Sequence, residues 1–276
     1  MKTAVAALVA LAALAMVCVS QQPEFNTLTP EEKAAGWQLL FDGKTFAGWH
    51  DPAREDPPSD SWTIEDGCLK ATANPRILED LVTLAKFRNF EMVFDWRISP
   101  GGNSGVKYLI QKQVLLDYDK IPPDVKGFEA IVGYLMEHNL SGRARPGRHN
   151  EYYLISFEYQ VIDDARNPDA RRGAQYSAGA LYSVVPPIRD ATRPVGEFNH
   201  SRLVLREDHV EHWLNGVKVV DTSLDSPEIA KGFAKRWHSA PLVYELLTKR
   251  PRRDSPIALQ NHDSAAWFRN LKIRVF

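Results

Sequence analysis

Residues 90–98 read Phe-Glu-Met-Val-Phe-Asp-Trp-Arg-Ile, and no other stretch constrains this chain as tightly. At the two-residue period of a strand, Phe90, Met92, Phe94, Trp96 and Ile98 share one face, while Glu91, Asp95 and Arg97 share the other. Such a segment must bury one side and wet the other, so it predicts a half-buried strand under a second layer. Val210–Leu214, then Asn215-Gly216, then Val217–Val220 predicts a hairpin, because Asn-Gly accepts the positive φ angles of a type I′ turn. Tyr152–Ile162, Ser201–Arg206 and Trp267–Phe276 predict further strands. In the last, Leu271, Ile273 and Val275 face inward and Lys272 and Arg274 outward. The chain has no glycine-rich strand-to-helix phosphate loop, and helical periodicity is confined to short pieces. Many antiparallel strands without βα alternation predict an all-β sandwich of two sheets.

Composition sets the limits on partners and compartment. The 276 residues hold 34 Lys+Arg against 35 Asp+Glu, a net charge of −1, which offers no electrostatic footprint for nucleic acid. Lys2 followed by the apolar run Ala4–Val19 and the small residues around Ser20 predicts a signal peptide over 1–20, too short for a membrane span. The chain is therefore expected to be periplasmic or secreted. Cys18 raises a lipoprotein anchor, but the bulky Val17 directly before it disfavours one. Removing that segment leaves Cys68 alone, so no intramolecular disulfide and no cysteine-based metal site is expected. Residues 21–35 read as a polar leader, with a short helix starting at Thr29-Pro30, and 36–276 as one domain. Two long stretches, 112–150 and 223–255, interrupt the strand rhythm and predict loop insertions. The second carries the basic run Lys249-Arg250-Pro251-Arg252-Arg253, read as a solvated surface.

Four polar segments call for explanation. On a strand, Phe157, Tyr159 and Val161 point to one face and Glu158, Gln160 and Ile162 to the other. That places a carboxylate beside an amide, an acid/base group next to a hydrogen-bond partner for a sugar. An ordinary solvent-facing strand accounts for the same residues. Gly101-Gly102-Asn103-Ser104-Gly105 permits a bend or the close approach of a ligand. Ile257–Asp263 alternates so that Gln260 and His262 share a face. Ser177-Ala178-Gly179-Ala180-Leu181-Tyr182 offers small residues and a stacking ring. Trp49 and Trp62 are expected in the core.

The order of these segments is more specific than any one of them. Leu39-Leu40-Phe41-Asp42-Gly43-Lys44-Thr45-Phe46-Ala47-Gly48-Trp49, Trp62-Thr63-Ile64-Glu65-Asp66-Gly67, Asn103-Ser104-Gly105, Glu158-Tyr159-Gln160, Trp213-Leu214-Asn215-Gly216, Gln260-Asn261-His262 and Phe268-Arg269-Asn270-Leu271 follow one another. The series resembles the 3-keto-disaccharide hydrolase domain family over about residues 36–276. The resemblance implies a concanavalin A-like jelly roll with a carbohydrate site on one face, acting on glycosides oxidised to a ketone at C3. It also implies elimination, in which a base removes the C2 hydrogen, the C1 substituent leaves and water adds later. Glu158 is the expected base, with His262 and Asp163 the further catalytic candidates. Asn103, Ser104, Gln160, Gln260 and Tyr182 are the expected substrate contacts. A divalent metal held by carboxylate and imidazole is a further expectation, with Glu158 read as the leading base or metal ligand and His262 next. Asn261 stands where the family commonly has an acidic residue, and the 112–150 insertion is longer than expected. A two-carboxylate glycosidase and a non-catalytic carbohydrate-binding module remain open as alternatives.

Overall fold

The computed structural model describes residues 25–52, 60–138, 150–249 and 253–276. The predicted signal peptide, Cys18, residues 139–149 of the first insertion and 250–252 of the basic run lie outside the described residues. Among those described, the strands are β1 (Gln38–Leu39), β2 (Trp49–His50), β3 (Trp62–Glu65), β4 (Cys68–Ala71), β5 (Leu81–Thr83), β6 (Phe90–Ile98) and β7 (Asn103–Asp117). After these come β8 (Asn150–Ile162), β9 (Asn199–Arg206), β10 (His209–Leu214), β11 (Val217–Ser223), β12 (Ala258–Leu259) and β13 (Ala266–Val275). Four α-helices accompany them: α1 (Pro30–Ala34), α2 (Phe128–Glu137), α3 (Pro227–Arg236) and α4 (Pro241–Thr248).

The strands form two sheets, ordered β11-β10-β9-β6-β13-β4-β3 with β1 added on β13, and β2-β5-β12-β7-β8. All pairings between these strands are antiparallel, which makes the protein the expected concanavalin A-like sandwich. The alternation of β6 decides its place. Phe90, Met92, Phe94, Trp96 and Ile98 are at most 3% exposed, each worth roughly 1.5–3 kcal/mol over an exposed position. Across the sandwich, Phe94 meets Tyr159 of β8 edge to face at 5.4 Å. Polar tips in this layer are satisfied rather than buried bare. Trp96 Nε1 donates to Ser201 Oγ at 2.8 Å, and the Tyr159 hydroxyl lies 2.9 Å from the same oxygen.

Several expectations needed correction at element ends. The segment 112–150 is not all insertion, because β7 continues to Asp117 after a bulge in which Leu109 takes φ 49°. The bulge absorbs the break in alternation within this strand, which the sequence reading did not predict. The 223–255 segment holds two helices; Ser226 caps α3 and Pro227 opens it, with Ile229 and Phe233 buried. Val275 is 50% exposed rather than inward, since it occupies the last position of β13, beyond the packed stretch that buries Leu271 and Ile273. Cys68 is free and buried. Among the described residues no helix is long and apolar enough to cross a membrane.

The outer edge of β8 does not face solvent bare. Gly179 N–H donates to Gln160 O, Gln160 N–H to Ala180 O, and Tyr182 N–H to Glu158 O, all within 3.1 Å, so residues 179–182 line that edge. The β10–β11 hairpin turns through Asn215 at φ 48° and Gly216 at φ 82°, both left-handed as the Asn-Gly pair requires. A Cβ on Gly216 meets no atom within 4 Å, so only its backbone angle opposes a side chain. Gly216→Ala should therefore lower stability by about 1 kcal/mol without changing the fold, measured as a reduced urea midpoint at unchanged slope.

Candidate active site

The inward set of β8 fixes what stands on its other face. Phe157, Tyr159 and Val161 are at most 1% exposed in the core, so Glu158 and Gln160 project from the opposite side of the five-stranded sheet. In the β7–β8 register, Glu158 faces Lys107 and Gln160 faces Gly105. A cavity of about 500 Å³ opens over this face. The structure brings Glu158, Gln160, Asn103, Gln260, His262 and Tyr182 together around it. Ser104 and Asp163 do not reach it.

Their absence has a local reason. Ser104 points inward, is fully buried, and donates its hydroxyl to Gln260 O at 2.7 Å, which fastens β7 to the segment after β12. Asp163 faces the other way and accepts the N–H groups of Gly101 at 2.8 Å, Ala165 at 3.1 Å and Arg166 at 3.2 Å. Burial pushes its carboxyl up, but these donors outweigh that and hold it below the usual range. Asp163 is thus a loop cap for the 99–103 turn rather than an acid or base for the cavity. Tyr182 lines the cavity, yet its hydroxyl already donates to Asp169 Oδ2 at 2.9 Å.

Glu158 is the group with unusual chemistry. Burial pushes its carboxyl up to about 7, against the opposing charges of Lys107 and Arg236, while Asp80 and Asp169 reinforce the rise. A carboxylate near neutrality is half ionised at working pH and basic enough to take a proton from carbon next to a carbonyl. Its side chain lies across Gly105, where a Cβ would come within 2.2 Å of Glu158 Oε1. Only a glycine leaves that lane open, and a sequence reading has no signal for it.

The neighbouring amides are incompletely satisfied. Gln160 is fully buried, and its Nε2 donates to Asn103 Oδ1 at 3.3 Å and Tyr176 O at 3.4 Å. The Oε1 atoms of Gln160 and Gln260 are buried and have no partner. Buried amide oxygens without donors are costly unless a ligand supplies hydroxyl groups. His262 is exposed at the rim.

The remaining wall comes from segments that sequence reading left as loops. Phe128 and Glu129 arrive on α2, Arg236 on α3, and Asp169 and Arg172 on the stretch after β8. Arg172 Nη1 donates to Asp169 Oδ1 at 2.7 Å, and Arg236 Nε lies 3.6 Å from Glu129 Oε1. Arg236 also stacks over the Tyr182 ring at 4.8 Å and donates to Ser183 Oγ at 3.0 Å. Burial pushes the Asp169 carboxyl up, but Arg172 and Tyr182 more than offset this and keep it ionised. No periodicity marks these residues, because their convergence depends on contacts far apart in the chain.

The expected metal is not favoured by this donor set. Glu158 and His262, the residues expected to hold it, both line the cavity, but the two further carboxylates there, Glu129 and Asp169, already pair with arginines, so a divalent cation would have to displace those arginines to gain more acidic ligands. Among the described residues, the group close enough to hold a metal is His209, Glu211 and Asp221, whose ligand atoms lie within 4.8 Å of one another. It sits on the β10–β11 hairpin, outside the cavity lining, and Lys218 already pairs with both acids.

Fold and cavity together define a jelly-roll protein with one tuned carboxylate among sugar-sized polar contacts. The 3-keto-alpha-glucoside-1,2-lyase-like domain matches residues 36–274, and the chain belongs to that family. It is 31% identical over 268 residues to a 3-keto-disaccharide hydrolase of Bacteroides thetaiotaomicron, covering 91% of this chain and 82% of that protein. Among solved structures it is similar to an inferred glycosyl hydrolase from Parabacteroides distasonis, with 28% identity and a TM-score of 0.68, over 92% of this chain and 100% of the other. A second such protein from the same organism, 22% identical with a TM-score of 0.55 over 87% and 99% of the chains, shares the fold.

Two variants check the site's geometry. Gly105→Ala should displace the Glu158 carboxylate and cut activity at least tenfold while the circular dichroism spectrum stays unchanged, because a 2.2 Å contact cannot be absorbed in place. Glu158→Gln tests the electrostatics through stability. A folded pKa of about 7 above the ordinary 4.5 means that the group's contribution is fully present below the lower value and lost as pH rises through the upper one. The Gln variant should therefore be more stable than wild type by about 3 kcal/mol near pH 8, with the gap closing near pH 4.5, as read by urea unfolding.

Proposed function

We propose that this protein cleaves the glycosidic bond of 3-keto-glycosides or 3-keto-disaccharides by C2 proton abstraction and elimination, followed by hydration. The observation that carries the reading is Glu158, a carboxylate raised to about 7 inside a cavity where the amide oxygens of Gln160 and Gln260 are buried without a partner. Its family membership agrees.

A ketone at C3 makes the C2 hydrogen acidic. Glu158 takes that proton, and the C2–H electron pair moves toward the ketone to give an enolate. The enolate collapses to a C1–C2 double bond, the C1–O bond breaks, and the leaving oxygen acquires a proton, a role that His262 at the rim fits. Water then adds its oxygen to C1 and gives up a proton to His262, replacing the one lost to the leaving oxygen, while Glu158 returns its proton to C2, so that atoms balance as a hydrolysis. Charge that builds on the sugar during the first step is offset by Arg236 on the cavity wall. Asn103, Gln160 and Gln260 hold sugar hydroxyls, which orients the C2–H bond toward Glu158. Export to the periplasm or outside the cell, supported by the apolar run at 4–19, would put the enzyme where extracellular glycosides pass.

The rival readings are weaker on specific grounds. A two-carboxylate glycosidase needs a second free acid at about 5 Å or 6.5–9.5 Å, but Glu129 and Asp169 are engaged with arginines. A binding module needs no tuned base. The test is turnover of a 3-keto-glucoside by the mature protein, followed as free aglycone and as enone absorbance. Wild type should show an acid limb with apparent pK near 7, and Glu158→Gln should lose roughly 10²–10⁴-fold in kcat. Tight binding of unoxidised glycan with no turnover of the keto-glucoside would sink the enzymatic reading.

A further inference from the structure

Asp80 lies outside the cavity lining, yet it touches both halves of the site. Its Oδ2 accepts from Lys107 Nζ at 2.7 Å, and the two side chains are only 6% and 3% exposed. Its Oδ1 accepts the backbone N–H of Asn261 at 3.2 Å, between Gln260 and His262. Asn261 in turn donates Nδ2 to Ser61 O at 2.9 Å and Thr72 O at 3.0 Å, and accepts the Asp263 N–H at 3.0 Å. Both Nδ2 bonds require a donor, which explains an amide where the family commonly has an acid. Lys107 is the cross-strand partner of Glu158, about 5 Å away at Cβ on the same sheet face.

We propose that Asp80 is a positioning residue that holds Lys107 away from Glu158 with one oxygen and fixes the turn bearing Gln260 and His262 with the other. The proposal rests on Glu158 acting as the base. Lys107 has two carboxylates within its range. While Asp80 holds it, Glu158 stays unbridged and basic; freed, the ammonium turns to Glu158 and makes it a weak base. The other groups that face Glu158 are untouched by a change at position 80. They are Arg236 from α3, Asp169 from the stretch after β8, and the phenols of Tyr153 from β8 and Tyr182 from the edge segment, while the Tyr108 phenol lies on the core side of β7, bonded to His212. Glu129 of α2, which lines the same cavity, is paired with Arg236.

The two oxygens can be separated experimentally. Asp80→Asn keeps an acceptor for the Asn261 N–H but removes the charge that holds Lys107. Its acid limb with a 3-keto-glucoside should move down by at least about one pH unit, with KM within about threefold of wild type. Asp80→Ala should show the same shift and, with its turn released, a KM raised about tenfold. Because a lone buried Lys107 threatens folding, a Lys107→Met/Asp80→Asn double variant removes both charges, and its limb should move up instead. The Glu158 carboxyl is also titrated directly, as the infrared difference between each background and its Glu158→Gln partner, which needs no turnover. A limb and a carboxyl titration that stay at wild-type values in the double variant overturn the proposal. A carboxyl that titrates as described in protein that turns over no keto-glycoside upholds the pairing and overturns the catalytic reading alone.

Discussion

The register between β7 and β8 is the constraint on which the rest of the molecule depends. It places Phe157, Tyr159 and Val161 between the sheets and, by parity alone, Glu158 and Gln160 on the far side. A slip of one residue would drive Glu158 into an apolar layer and expel Tyr159, whose ring packs on Phe94 and whose hydroxyl meets Ser201. Losing a large buried aromatic costs about 3–5 kcal/mol, so core packing enforces the position of the reactive group. The same register sets Gly105 beside Gln160 and Lys107 beside Glu158, so the empty lane and the buried cation come with the pairing.

How far the sequence could be read follows from the range of the forces involved. Alternation is local, and it revealed β6, β8 and the facing of Glu158. Asn215-Gly216 is local chemistry too, and the turn it predicts is present. Thr29 and Glu32 form the capping box expected of a Thr-Pro-Glu-Glu start. Asp163 misled because a strand-end aspartate in a polar motif looks the same whether it caps a loop or faces a substrate. The cavity's other wall was invisible for a different reason. Glu129, Asp169 and Arg236 belong to separate segments, two of them in stretches without strand rhythm, and only the packing of α2 and α3 over the sheet makes them neighbours. Asp80 and Lys107 gave no signal either, although Lys107 lies two residues past Asn103-Ser104-Gly105, since a buried ion pair has no spacing.

Buried ion pairs are poor sources of stability, because desolvation consumes most of the Coulomb gain, while breaking one costs about 3–5 kcal/mol. The Asp80–Lys107 pair therefore reads better as a device for placement than for stability. Arg202 and Arg274 on Glu91 make the contrast. There the burial penalty on Glu91 is more than offset and its carboxyl is held low, so it has no basicity left. Glu158 has Lys107 and Arg236 nearby and yet stays high, because burial outweighs their pull and its cross-strand ammonium is engaged by Asp80.

A second buried polar group ties the core to the site. His212 is fully buried; its Nδ1 lies 2.9 Å from Gly179 O and its Nε2 3.0 Å from the Tyr108 hydroxyl. A carbonyl only accepts, so Nδ1 carries the hydrogen and Nε2 must accept from the tyrosine. Burial pushes this imidazole down to about 4, so it remains neutral wherever Glu158 is ionised. Gly179 begins the segment that covers the edge of β8 and delivers Tyr182, and through it Asp169, to the cavity. Its φ of 81° and a Cβ position 3.0 Å from Val219 reserve that place for glycine. Groups that the core holds neutral thus anchor the segment facing the cavity, while the charged groups that tune Glu158 sit on the other side of the sheet. Keeping the two sets on opposite faces of one strand lets the protein place a carboxylate at an unfavourable pKa without loosening the packing that positions it.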